Sequence, residues 1–98
     1  MFIHSVYFWL KPGLSPENVK TFETLSNAMA GIPGVGHLWV GKPAPTDRPV
    51  IDRSYSYALT VVFKDMAAHD AYQKHPIHDT FRNTCGDFWS QVKIYDSL

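Results

Sequence analysis

The stretch Tyr72-Gln73-Lys74-His75-Pro76-Ile77-His78 places a phenol and two imidazoles within seven residues. A neutral imidazole titrates near 6.5 when unperturbed, so His78 can take a proton from a carbon between two carbonyls at neutral pH. The phenol of Tyr72 can donate to the oxygen on which negative charge grows as the enolate forms. An acid or base of this kind contributes about 10² to 10⁴ in rate, or roughly 3 to 5 kcal/mol. That suffices for an activated carbon acid. A packed pair, with the imidazole satisfying a buried hydroxyl or a helix-end carbonyl, accounts for the same two residues, and spacing alone leaves the choice open.

The other histidines have plainer readings. His75 precedes Pro76 where a helix must break, which fits a capping or packing role. His4 sits on an otherwise apolar strand face, where one hydrogen-bond partner would satisfy it. His37 and His69 read as surface residues. His75 and His78 are three apart, but no nearby carboxylate or cysteine completes a metal-ligand pattern, so no metal is expected. The sequence has no Gly-rich phosphate loop, Gly-x-Ser-x-Gly elbow or His-Glu-x-x-His motif. Hydrolase and nucleotide readings therefore lose their footing, and no cofactor is expected.

The elements that must position these groups follow from periodicity. Phe2 to Leu10 reads as a strand with Phe2, His4, Val6, Phe8 and Leu10 on one side and Ile3, Ser5, Tyr7 and Trp9 on the other. Ser15-Pro16 starts a helix, because serine caps an orphan amide and proline fits the first helical position. Val19, Phe22, Leu25, Met29 and Ile32 trace its apolar stripe until Pro33-Gly34 stops it. Val35 to Gly41 is a second strand, with His37 and Trp39 opposite Leu38 and Val40. Lys42 to Arg53, rich in proline, reads as a loop long enough to cover a site or a partner.

Ser54 to Lys64 is the third strand. Tyr55, Tyr57, Leu59, Val61 and Phe63 alternate there with Ser56, Ala58, Thr60 and Val62, a less bulky face that a helix or a second sheet could approach closely. Asp65 caps a helix over Met66 to Lys74, and a further helix over Ile77 to Cys85 puts His78, Phe81 and Cys85 on one face before Gly86. The last strand runs from Asp87 or Phe88 to Asp96, with Phe88, Val92 and Ile94 alternating against Trp89 and Tyr95.

The order β, α, β, β, α, β, with the second helix broken at a proline, defines an α+β ferredoxin-like plan with one four-stranded antiparallel sheet. Both helical layers then cover one sheet face. The other would expose Tyr7, Trp9 and further aromatics, a patch that rarely stays wet. Pairing two such faces contributes about 2.5 kcal/mol per 100 Å² of apolar area before association costs, so a homodimer through the open sheet face is expected.

Composition bounds the rest. The 98 residues form a single domain, 1–98, and 45% of them are apolar. Nine basic residues balance nine acidic ones, which leaves no basic surface for nucleic acid or an anionic membrane. The apolar run Val6 to Leu10 is too short for a membrane helix or signal segment, so a cytoplasmic location is the expectation. The lone Cys85 reads as a small buried hydrophobe.

Ile3-His4-Ser5-Val6-Tyr7-Phe8, Lys11-Pro12-Gly13, Ile32-Pro33-Gly34-Val35, Val40-Gly41, Tyr57-Ala58-Leu59 and the Tyr-x-x-His-Pro-x-His segment at Tyr72 to His78 resemble the stress-responsive dimeric α/β barrel (Dabb) family over nearly the whole chain. The resemblance implies a dimer whose two sheets close into a barrel, with a pocket between helices and sheet. Within the family the chain is similar to plant polyketide cyclases that form olivetolic acid, around Tyr72, His75, Pro76, His78 and Phe81 and again at Phe88, Trp89, Ile94 and Asp96. By that likeness His78 and Tyr72 are catalytic candidates. His4, Val6, Phe8, Tyr57, Leu59, His75, Phe81, Trp89 and Ile94 are candidates for contact with a small apolar, phenolic or polyketide-like ligand. Tyr57 stands where those cyclases have a histidine, so the substrate does not transfer. Four readings remain open: a ligand-binding dimer with acid/base chemistry, a cofactor-free cyclase-like lyase, a cofactor-independent monooxygenase, and a non-catalytic stress-associated structural dimer.

Overall fold

Alternation along β1 (Phe2–Leu10) sends Phe2, His4, Val6 and Phe8 to one face, where all four are buried. The computed structural model describes residues 1–98. After β1 come α1 (Pro16–Ala28), a single 3₁₀ turn (Met29–Gly31), β2 (Val35–Gly41), β3 (Tyr57–Phe63), α2 (Met66–Gln73), α3 (Pro76–Cys85) and β4 (Trp89–Ser97). The strands form one antiparallel sheet in the order β2-β3-β1-β4, the α+β ferredoxin-like βαββαβ fold expected from the sequence.

Helix starts are set by the side chains that the sequence places there. The Ser15 hydroxyl accepts from the Asn18 amide at 3.1 Å, ahead of Pro16 in the first helical turn. The Asp65 carboxylate accepts from the Ala68 amide at 2.9 Å. Gly34, at φ +92°, turns the chain into β2 and lies so close to α2 that a Cβ there would meet the Ala68 Cβ at 3.3 Å. The apolar stripe of α1 and the turn after it fills the core with Phe22, Met29 and Ile32.

The alternation read along β3 holds, and three features refine the sequence reading. First, the helices cover the bulky side of β3: Tyr57, Leu59, Val61 and Phe63 are buried, while Ala58, Thr60 and Val62 lie toward the open face. Second, β3 begins at Tyr57 rather than Ser54, because the connecting loop runs on to Ser56, which is anchored by its amide on the Phe8 carbonyl at 2.7 Å. Third, the β1–β4 register slips between Trp9, opposite Gln91, and Leu10, opposite Trp89. Ser90 is the extra residue of this bulge, and Trp89 therefore joins Val92 and Ile94 on the helix side instead of opposing them.

A similar irregularity at Gly36 puts Val35 opposite the core residue Phe63 and His37 opposite Val62 on the open side. No helix is long and apolar enough to cross a membrane.

Phe22 is fully buried, with its ring 5.1 Å from those of Phe8 and Tyr57 and 5.6 Å from that of Phe81. Phe22→Ala is expected to cost about 3 to 5 kcal/mol of stability, read as a lower urea midpoint at fixed protein concentration with an unchanged slope. A midpoint within experimental error of the parent would show that this ring does not hold the core.

Candidate functional site

The helix-side surface of β1 and β4 is not fully roofed. Where α2 stops and α3 restarts, a cavity of about 170 Å³ remains under the break. His75 makes the break orderly. Its Nδ1 accepts from the Ile77 amide at 3.1 Å and caps α3, with Pro76 in the first turn. Tyr72, at the end of α2, and His78, in the first turn of α3, face each other across this joint, their rings edge to face at 4.9 Å.

Nine of the eleven residues expected to form a site line this cavity: His4, Val6, Phe8, Leu59, Tyr72, His78, Phe81, Trp89 and Ile94. Two do not. Tyr57 turns toward α1, where its hydroxyl donates to the Glu23 carboxylate at 2.5 Å, and His75 serves as the cap already described. Burial, reinforced by the Glu23 carboxylate, pushes the Tyr57 phenol up to about 12. The sequence reading missed Met29, Gln73, Arg82 and Val92 in the wall. Met29 and Val92 were legible as apolar but not as cavity residues.

The polar groups of the cavity differ in how they are satisfied. Tyr72 is fully buried and its hydroxyl donates only to the Met29 sulfur, at 3.4 Å. Sulfur is a weak acceptor, so that donor is cheaply redirected to an oxygen. Burial raises the Tyr72 phenol far above its ordinary value, which keeps it a protonated donor. His78 is the reverse case, because its buried Nδ1 has no hydrogen-bond partner. Burial, with the Arg82 guanidinium adding to it, holds His78 below the usual imidazole value, so it is neutral at pH 7. An unpartnered buried nitrogen costs about 1 to 3 kcal/mol.

His4 is satisfied. Its Nδ1 lies 2.6 Å from the Asp96 carboxylate, and because a carboxylate only accepts, the Nδ1 carries the proton. Desolvation outweighs Asp96 and lowers the His4 pKa, so a neutral ring donating to a carboxylate describes the pair. His69, expected at the surface, instead stacks on Phe2 at 4.4 Å and stands 5.1 Å from the His4 ring. His37 is exposed as expected. One donor atom each from His4, His69 and Asp96 lies within 4.8 Å of the others, a convergence of positions 4, 69 and 96 that no local spacing reveals.

The opposite sheet face carries a wider, open groove of about 460 Å³ between β1, β4 and the long loop. Tyr55 reaches from that loop to within 5.0 Å of the Tyr7 ring, and Ser54 accepts from the Trp9 indole at 3.1 Å. Trp39 and Tyr95 stand well exposed on the same face.

Fold and site together define a ferredoxin-like α+β domain with a small, mostly apolar cavity under the joint of its second helical layer. The chain belongs to the Stress responsive A/B Barrel Domain (Dabb) family, whose model matches residues 2–98. Among solved structures it is similar to a Dabb family protein from Mesorhizobium loti, at 25% identity and TM-score 0.78 over 99% of this chain and 94% of that one. It is also similar to a dimeric ferredoxin-like protein of unknown function from Thermobifida fusca, at 18% identity and TM-score 0.81 over 99% and 89%. A third similar structure is the hydroxynitrile lyase of Passiflora edulis, at 16% identity and TM-score 0.80 over 98% and 90%. No curated protein sequence matches, the plant polyketide cyclases included.

Replacing His78 with leucine removes a buried nitrogen that nothing satisfies. In the unfolded chain this imidazole takes a proton near 6.5, and in the folded chain only at lower pH, so it destabilises the fold progressively as pH falls below about 6.5. His78→Leu is therefore expected to melt no lower than the parent at pH 7.5 and to lose less stability between pH 6.5 and 5. Parallel melting profiles over that range would contradict the burial of the ring.

Proposed function

We propose that this chain is a homodimeric small-molecule-binding protein whose helix-side cavity performs cofactor-free acid/base chemistry on a small carbonyl compound. The observation that carries the reading is that His78, whose buried Nδ1 has no partner, lines an apolar cavity together with Tyr72. A ligand that reaches that nitrogen, by a turn of the His78 ring toward the cavity, offsets the cost.

The volume sets the ligand class. A dry apolar cavity of about 150 Å³ accepts benzene, so one of 170 Å³ admits a single ring or a short chain. A longer linear polyketide would have to extend past Val92 and Ile94, both exposed at the β4 edge. In the productive step His78 Nδ1 takes a proton from carbon between two carbonyls. The electron pair of the broken C–H bond moves onto a carbonyl oxygen, and the Tyr72 hydroxyl leaves the Met29 sulfur to donate to that oxygen. Lyase chemistry is named for the Passiflora edulis relative on this fold, which supports the class of reaction by analogy of fold alone.

The open face supports the dimer. Tyr7, Trp9, Trp39 and Tyr95 leave it too apolar to stay wet, and the Thermobifida fusca relative is described as dimeric. The chain of 11.1 kDa is expected to scatter light as a species of twice that mass at micromolar concentration, and Tyr7→Glu to shift it to monomer. A monomeric parent chain overturns the dimer.

The chemistry is tested by deuterium exchange into acetylacetone in heavy water, followed by proton NMR. Exchange about 10² to 10⁴ above buffer is expected, falling to background in His78→Ala and substantially in Tyr72→Phe, with both variants folded by circular dichroism. The rate should fall as pH drops through the depressed His78 value, because only the neutral ring is a base. Exchange at the buffer rate by the parent, together with no thermal stabilisation by any of a panel of small aromatic and 1,3-dicarbonyl compounds, defeats the proposal.

A further inference from the structure

Three donors that the cavity chemistry does not require as a group converge at one end of the sheet. His4 comes from β1, His69 from α2 and Asp96 from β4, and their donor atoms lie within 4.8 Å of one another. The rings are held rather than loose. His4 is buried, and the His69 side chain is only 13% exposed, stacked on Phe2 at 4.4 Å and edge-on to Phe63 at 5.7 Å.

We propose that His4, His69 and Asp96 form a binding site for a divalent cation of the zinc class. Two imidazoles and one carboxylate are the donor set that borderline ions such as Zn²⁺ or Co²⁺ prefer over Mg²⁺ or Ca²⁺, which favour oxygen. The distances are close to what coordination needs. Donors about 2.0 to 2.1 Å from a tetrahedral ion lie about 3.3 Å apart. The His4–Asp96 pair, at 2.6 Å, would open to admit the ion, the His4 proton shifting from Nδ1 to Nε2 so that Nδ1 offers its lone pair, and His69 would close toward it. Asp96 can make that adjustment, because its side chain is 38% exposed at the edge strand.

An outer carboxylate is also present. An oxygen of Asp70 lies 3.1 Å from His69 Nδ1 and the Gln73 amide nitrogen 3.2 Å from Nε2, so the ring nitrogen that takes the metal exchanges its present partner for the ion while the other keeps the ring oriented. Three protein ligands leave a fourth position for water or a ligand oxygen. Binding would clip β1, β4 and α2 together, and so stabilise the fold whether or not the neighbouring cavity turns anything over.

The test uses the full chain, stripped with chelator, and reads the metal itself. Titration with ZnCl₂ by calorimetry is expected to give one ion per chain and a raised melting temperature. Co²⁺ should give the intense visible absorption of a four-coordinate site. His69→Ala and Asp96→Asn should each weaken Zn²⁺ binding at least tenfold, while His37→Ala, at an exposed position, leaves it unchanged. Because Asp96→Asn also alters a satisfied pair, Co²⁺ broadening of parent-chain NMR signals gives a second reading, with the losses expected around Phe2, His4, His69 and Asp96. No binding to the parent at millimolar Zn²⁺, equal weakening by His37→Ala, or broadening centred elsewhere overturns the site. None of these readings involves substrate, so loss of the metal site and loss of the cavity chemistry are separable.

Discussion

An imidazole in the middle of an apolar strand row constrains much of what is built around it. His4 lies between Phe2 and Val6 on the buried side of the central strand, where burial opposes its charged form and leaves its ring nitrogens in need of partners. Asp96 supplies one only because it stands directly opposite His4 in the β1–β4 ladder. A one-residue slip would send Asp96 to the open face and leave His4 unpaired. The polar pair thus adds register specificity to an edge strand whose exposed side chains would hold it loosely.

That register has a consequence at the other end of the ladder. With Asp96 fixed opposite His4, the chain between Cys85 and β4 meets β1 one residue out of phase, and the bulge at Ser90 absorbs the difference. Trp89 is thereby turned under the helices, 4.9 Å from the Phe8 ring and 5.9 Å from that of Phe81, and closes the floor of the cavity. Without the bulge the indole would lie on the open face beside Trp9. Pairing at one end and cavity shape at the other are two results of one strand alignment.

How much of this was legible follows from the range of each signal. Strand alternation in Phe2–Leu10, the caps at Ser15 and Asp65, and the proline break at Pro76 are local, and each appears in the fold within a residue or two of where the sequence puts it. Most of the cavity wall was legible through family resemblance rather than periodicity. The bulges at Gly36 and Ser90 were not, since one extra residue leaves composition unchanged while reversing the side to which Val35 and Trp89 point. His69 was read as a surface residue, and only the packing of α2 across Phe2 and Phe63 covers its ring. Tyr57 was misplaced for a similar reason. Its hydroxyl has a carboxylate 34 positions away, on a helix whose rotation the sequence does not fix.

The polar groups around the cavity differ in satisfaction more sharply than in residue type. His75, Tyr57 and His4 each have a strong partner, an amide or a carboxylate, and substituting any of them would leave that partner unpaired. His78 and Tyr72 have none or only a sulfur, although they sit among the same kinds of atoms. A small domain has limited stability to spend on unsatisfied groups, because it buries a modest fraction of its surface. Leaving a nitrogen bare and a hydroxyl on a weak acceptor, side by side at the one break in the helical roof, costs stability that apolar side chains of similar size would return.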